Sequence, residues 1–67
     1  MLMKKESKTQ EAIVEAAFAL IGRHGLKNTS LSMIASEVGI SKPAIYYYFS
    51  SKEELVDYLF HLVFDGH

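Results

Sequence analysis

Apolar residues recur at helical spacing in four short blocks, with sharp punctuation between them. In the first block, Ile13, Ala16, Ala17, Leu20 and Ile21 share one face. Ser7 and Gln10 form an S-x-x-Q capping box ahead of it. Arg23 and His24 fall in the last turn, where positive charge suits the helix dipole, and Gly25 follows as a left-handed terminator. This predicts a helix over about 8–24, preceded by a disordered arm at 1–6.

In the second block, Leu31, Ile34, Ala35 and Val38 stand at i, i+3, i+4 and i+7. Ser30 is the N-cap and Gly39 the stop, so a short helix is predicted over about 31–38. A third helix, about 42–48, follows after only a few residues. Ser41 caps it, and Pro43 is tolerated in the first turn because those N–H groups have no helical partner. Ile45 and Phe49 are four apart and share its inner face.

The fourth helix is predicted over about 51–65, with Ser50 and Glu53, or Ser51 and Glu54, as its capping box. It carries two apolar stripes, Leu55, Leu59 and Leu62 beside Val56, Phe60 and Val63, widened by Tyr58 and Phe64. A generous core would explain them. The area is nevertheless large for an outer helix of so small a bundle, so its end is expected to meet something absent from the chain. The fold class is therefore all-α, a small helical bundle, with residues 7–67 as one domain and no repeat or linker.

Composition narrows the chemistry. The 67 residues include no cysteine, which removes disulfides and thiolate metal sites and fits a reducing compartment, the cytoplasm. His24, His61 and His67 form no ligand pair at helical spacing, so neither a metal nor another cofactor is expected. No stretch approaches the ~18 apolar residues of a membrane span. The net charge of −1 argues by itself against nucleic acid, but it is unevenly spread. Residues 38–52 hold Lys42 and Lys52 and no acid, whereas residues 53–67 hold Glu53, Glu54, Asp57 and Asp65 and no Lys or Arg.

Two short helices separated by "GIS" match a helix-turn-helix. Ala35 is small enough for the helices to cross closely, and Gly39 supplies the sharp turn. Ile34, Val38, Ile40 and Ile45 plug the angle between them. At about 100° per residue, pointing Ile45 and Phe49 inward turns Tyr47 almost directly outward. Pro43 and Ala44 join it, and Tyr46 and Tyr48 fall on the flanks. A face of Pro, Ala and Tyr is odd for solvent but sensible in a major groove, where apolar groups meet thymine methyls. Flanking tyrosines can pack their rings and donate hydroxyls to phosphates. Lys42 and Lys52 border this face without acids nearby and point to phosphate or guanine contact. Lys27 and Arg23 read as plain surface and His24 as a helix-end cation. Lys4, Lys5 and Lys8 belong to the start of the chain, where disorder is the simpler reading than a DNA-binding arm.

The stretch "TSLSMIASEVGISKPAIYYYFSSKEELV", preceded by "IVEAAFALIGRHGL", closely resembles the DNA-binding domain of TetR-family transcriptional repressors. The resemblance runs from about residue 9 to 60. Its most specific element is Tyr-x-x-Phe followed by Ser-Lys-Glu-Glu-Leu, matched by Tyr46, Phe49, Lys52 and Leu55. It implies a three-helix bundle whose second and third helices form the helix-turn-helix, with a fourth helix leading toward a C-terminal domain. Thr29 and Ser30 match phosphate-holding positions. Lys42, Pro43, Ala44, Tyr46, Tyr47 and Tyr48 match the recognition helix, with Ser41 at its start, and Lys52 matches a phosphate contact. Three positions depart from the pattern. Ser32 stands where many members carry a basic residue, Met33 where many carry a polar one, and Ile21 replaces a frequent phenylalanine.

The implied function is sequence-specific binding of double-stranded DNA, with a palindromic operator for a full-length dimer. Dimerisation and a small-molecule effector are assigned by the resemblance to the C-terminal domain, not to these residues. The alternative is a protein-interaction module working through the apolar fourth helix. An enzyme is the weakest class, because the sequence contains no nucleophile–base pair, metal cluster or phosphate loop.

Overall fold

The computed structural model describes residues 8–65. The expected arm at 1–6 and the Ser7 side of the first capping box lie outside the described residues. Within the described residues four helices follow in order: α1, Lys8–His24; α2, Leu31–Val38; α3, Lys42–Tyr48; and α4, Lys52–Phe60, which runs on into a π-helical turn, His61–Asp65.

The core forms where the predicted faces meet. Ile13, Ala16, Ala17 and Leu20 from α1 pack with Leu31, Ile34 and Ala35 from α2, Ile45 from α3, Phe49, and Leu55 and Leu59 from α4. Ile13, Ile34, Ile45 and Leu55 are the largest fully buried side chains. Val38, Ile40 and Ile21 are half-buried at its margin. The Phe49 ring lies against Tyr58, with centroids 5.5 Å apart.

Each helix junction is held by local hydrogen bonds. Ser30, Ser41 and Ser51 are the N-caps, their hydroxyls accepting from the N–H of Met33, Ala44 and Glu54. Each removes one of the orphan donors that a helix start leaves. Gly39 takes φ 88°, and the N–H groups of Gly39 and Ile40 both donate to the Ala35 carbonyl, at 2.8 and 2.9 Å. A side chain in that left-handed conformation would be strained, so glycine makes the tight turn between α2 and α3 possible.

Two details of α4 differ from the sequence pattern. Its first helical residue is Lys52, with Ser51 outside as the cap. The Glu54 carboxylate accepts from the Ser50 N–H and hydroxyl, one residue further back than a simple capping box. The predicted stripe of Leu55, Leu59 and Leu62 also breaks, with Leu55 and Leu59 buried but Leu62 44% exposed. The break falls where the winding widens to the π turn, whose bonds span one more residue than an α-helix and shift the register of the face.

Candidate nucleic-acid interface

The reading face of α3 emerges from its burial pattern. Ile45 is fully buried and Phe49 nearly so, which anchors one side of the helix. Tyr47 on the opposite side is 83% exposed, and Lys42, Pro43 and Tyr46 are also exposed. Ala44 is half-buried. The two flanking tyrosines are unequal. Tyr46 stands half out in solvent at 50%, whereas Tyr48 packs against the core. Tyr48 also meets Tyr47 edge-to-face, with ring centroids 5.2 Å apart and planes at 90°.

A second group of side chains collects beside this helix. The start of α2, the start of α4 and Tyr46 surround an open depression of about 670 Å³. Ser30, Tyr46, Ser50 and Lys52 line it, and so does Lys27. By sequence alone Lys27 is plain surface. Its position three residues before a capping serine was the available signal, because a helix start attracts anions and the residues just before it border that site. Ser50 and Ser51, helix caps by their sequence position, line the same depression. The other expected residues, Ser41, Lys42, Pro43, Ala44, Tyr47 and Tyr48, lie on or at the start of α3, outside this depression.

The hydrogen bonds sort the expected phosphate contacts. Ser30 and Ser41 each accept a backbone N–H at the hydroxyl oxygen, at 3.1 and 3.2 Å, which leaves the hydroxyl proton to donate outward. Thr29 is different, being only 2% exposed, with its hydroxyl donating to the Gly25 carbonyl at 2.9 Å. Its hydroxyl proton is thus committed to the backbone, although Thr29 also lines the depression. The hydroxyl adds to the Asn28 N–H as a second donor to the Gly25 carbonyl just beyond the end of α1, while the Asn28 side-chain amide donates to the His24 carbonyl at 3.0 Å.

The Lys52 ammonium donates to the Leu26 carbonyl at 2.6 Å. That leaves two further N–H donors on the same ammonium. At the next position but one, Glu54 is fixed as an anion. The hydroxyl and then the N–H of Ser50 donate to its carboxylate and hold its pKa below the ordinary value. Glu53, Glu54 and Asp57 are exposed along α4, so the acidic side of the domain begins directly after Lys52. Among the described residues no cluster of His, Asp or Glu could hold a metal ion, and no helix is long and apolar enough to cross a membrane.

Known proteins match the chain over most of its length. Residues 13–59 match the family described as bacterial regulatory proteins, tetR family. The chain is 43% identical over 47 residues to the HTH-type transcriptional regulator BetI of Agrobacterium fabrum, covering 70% of this chain and 23% of that protein. It is 33% identical over 64 residues to the HTH-type transcriptional regulator TtgR of Pseudomonas putida, covering 96% of this chain and 30% of that protein. A probable acrEF/envCD operon repressor of Escherichia coli is 35% identical over 48 residues, 72% of this chain and 22% of that protein. The matched stretches thus span less than a third of these relatives' length. No solved structure gives a significant match.

Proposed function

The chain belongs to the tetR family of bacterial regulatory proteins, and from that premise we propose that it binds double-stranded DNA sequence-specifically by setting α3 into the major groove. It is the DNA-binding domain of a TetR-family transcriptional regulator, and its relatives are regulators, a class without catalytic activity. The observation that carries the finer reading is the exposure of Tyr47 on a helix anchored from behind by Ile45 and Phe49. A helix so anchored presents its outer face rigidly, as a recognition helix must.

In this reading Lys42, Pro43, Ala44 and Tyr47 meet base edges, while Tyr46, Tyr48, Ser41, Ser30 and Lys52 position the domain on phosphates. Lys27 joins them through the depression it shares with Ser30 and Lys52. Thr29 supports the interface by closing the end of α1, not by touching DNA. The regulator acts as a repressor in the cytoplasm, and a palindromic operator read by two such domains is the expected target. Dimerisation and effector binding are proposed for the whole protein and not for these residues.

Chemical-shift mapping tests the reading. A specific duplex is expected to shift the amides of residues 41–52 and those around Ser30. Shifts confined to residues 55–64 on adding a protein partner, with 41–52 unmoved by any duplex, would replace it with a protein-interaction module.

A further inference from the structure

We propose that this chain distinguishes its DNA site chiefly by thymine methyl groups, met by the carbon surface of α3 with the Tyr47 ring at its centre. The proposal rests on the duplex-binding reading above and narrows it.

The first observation is what α3 lacks. Its sequence is KPAIYYY. Guanine is read by Arg or Lys, adenine by Asn or Gln, and cytosine by Asp or Glu, through paired hydrogen bonds in the major groove. Lys42 alone belongs to that set, and it stands at the first position, as a single ammonium without a fork. The rest of the outward face is the Pro43 ring, the Ala44 methyl and the Tyr47 ring. The apolar feature of the major groove is the thymine C5-methyl, so an apolar reading face selects for it.

The second observation is how Tyr47 is held. A ring 83% exposed to water would ordinarily be free to rotate, yet Tyr47 lies edge-to-face on Tyr48. Tyr48 in turn packs against the core. The exposed ring is therefore braced at a set angle, and less side-chain freedom remains to be lost on binding. The core does not require this brace, since Ile45 and Phe49 already fill the inner side of the helix.

Replacement of thymine by deoxyuridine tests the proposal, because it removes the methyl and leaves the hydrogen-bonding edge unchanged. A duplex selected by the chain from a random pool would carry single deoxyuridine substitutions across the site. Affinity is expected to fall about fourfold for each methyl in contact, the equivalent of one buried CH₂ group, and to stay level at thymines outside the site. Tyr47→Phe should keep the thymine preference, while Tyr47→Ala, checked for helical content, should lose it at one position or more. A fully deoxyuridine-substituted site bound as tightly as the thymine site overturns the proposal and leaves duplex binding standing. A full thymine preference retained by Tyr47→Ala overturns the assignment to Tyr47. Failure to select any duplex at low salt removes the duplex-binding reading, and this proposal with it.

Discussion

The Lys52 ammonium at the start of α4 donates to the Leu26 carbonyl in the loop between α1 and α2, at 2.6 Å and across 26 residues of sequence. Leu26 lies one residue beyond Gly25, whose carbonyl accepts from Thr29. One side chain thus ties α4 to the loop that leads into α2, and it does so from the wall of the depression where Ser30 and Lys27 also lie. Any phosphate held there would meet an ammonium already fixed in place.

Lys52→Met should therefore act on both stability and binding. Loss of a charge-assisted bond in a half-exposed position is expected to cost about 1 kcal/mol, read as a lower urea midpoint. DNA affinity should weaken for specific and random duplexes alike, with the salt slope reduced by about 0.9 for one lost phosphate contact. A change confined to one sequence would show that Lys52 reads bases instead.

Tyr47→Ala should give the opposite profile. The side chain is exposed, so folding stability should change by no more than ~0.5 kcal/mol. Binding to the preferred duplex should drop toward the level of random sequence. Gel-shift titrations against matched and scrambled duplexes measure this, and equal losses on both would remove Tyr47 from base readout.

Thr29→Val separates a fold role from a phosphate contact. The variant keeps the shape of the side chain and removes the hydroxyl bonded to Gly25. The Asn28 N–H still donates to that carbonyl, so losing the hydroxyl bond is expected to cost about 1 kcal/mol in thermal or urea unfolding. At a temperature where the variant stays folded, duplex affinity should match the parent chain. A stable variant with weakened binding would return Thr29 to the phosphate contacts.

Ile45→Ala should be the most damaging of these substitutions. The residue is fully buried at the back of α3, and truncation of such a side chain costs roughly 2–5 kcal/mol. In a domain this small that approaches the whole stability. Circular dichroism should show substantial loss of helix at room temperature. A variant as stable as the parent would mean that α3 is not anchored through Ile45.

Acid should loosen the start of α4. The two bonds from Ser50 favour the charged form of Glu54, so its pKa is lower folded than unfolded. Stability from this group is fully present above the unfolded pKa and is lost as pH falls through the lowered folded value. Glu54→Gln should remove that part of the acid dependence, seen as a flatter fall of the unfolding midpoint below the ordinary carboxylate range. Parallel curves for the two proteins would show that Glu54 contributes nothing to it.

Much of the candidate interface is legible because its signals are local. Ser30 and Ser41 are recognised as caps from their place before an apolar-periodic run, and their hydroxyl bonds stay within three residues. The outward turn of Tyr47 follows from counting residues from Ile45 and Phe49. Thr29 was harder, since a threonine next to a capping serine looks like surface. It is buried because the chain from Gly25 to Ser30 folds back and brings its hydroxyl to the Gly25 carbonyl. The place of Lys27 depends on the start of α4 lying close to that loop, which no local pattern encodes.

By itself, then, the sequence determined four helical segments, the residues that cap two of them, the glycine turn between α2 and α3, and which side of α3 faces inward. Those features depend on periodicity, φ preference and hydrogen bonds spanning a few residues, all written in neighbouring positions. Only the tertiary structure decided that Lys52 reaches Leu26, that Lys27 shares a depression with Ser30, that Tyr48 braces Tyr47 from the core, and that Leu62 leaves the buried stripe. Those outcomes depend on how whole helices cross and on where the winding of α4 widens. Such crossings are set by the packing of all the buried side chains together and cannot be assigned one segment at a time.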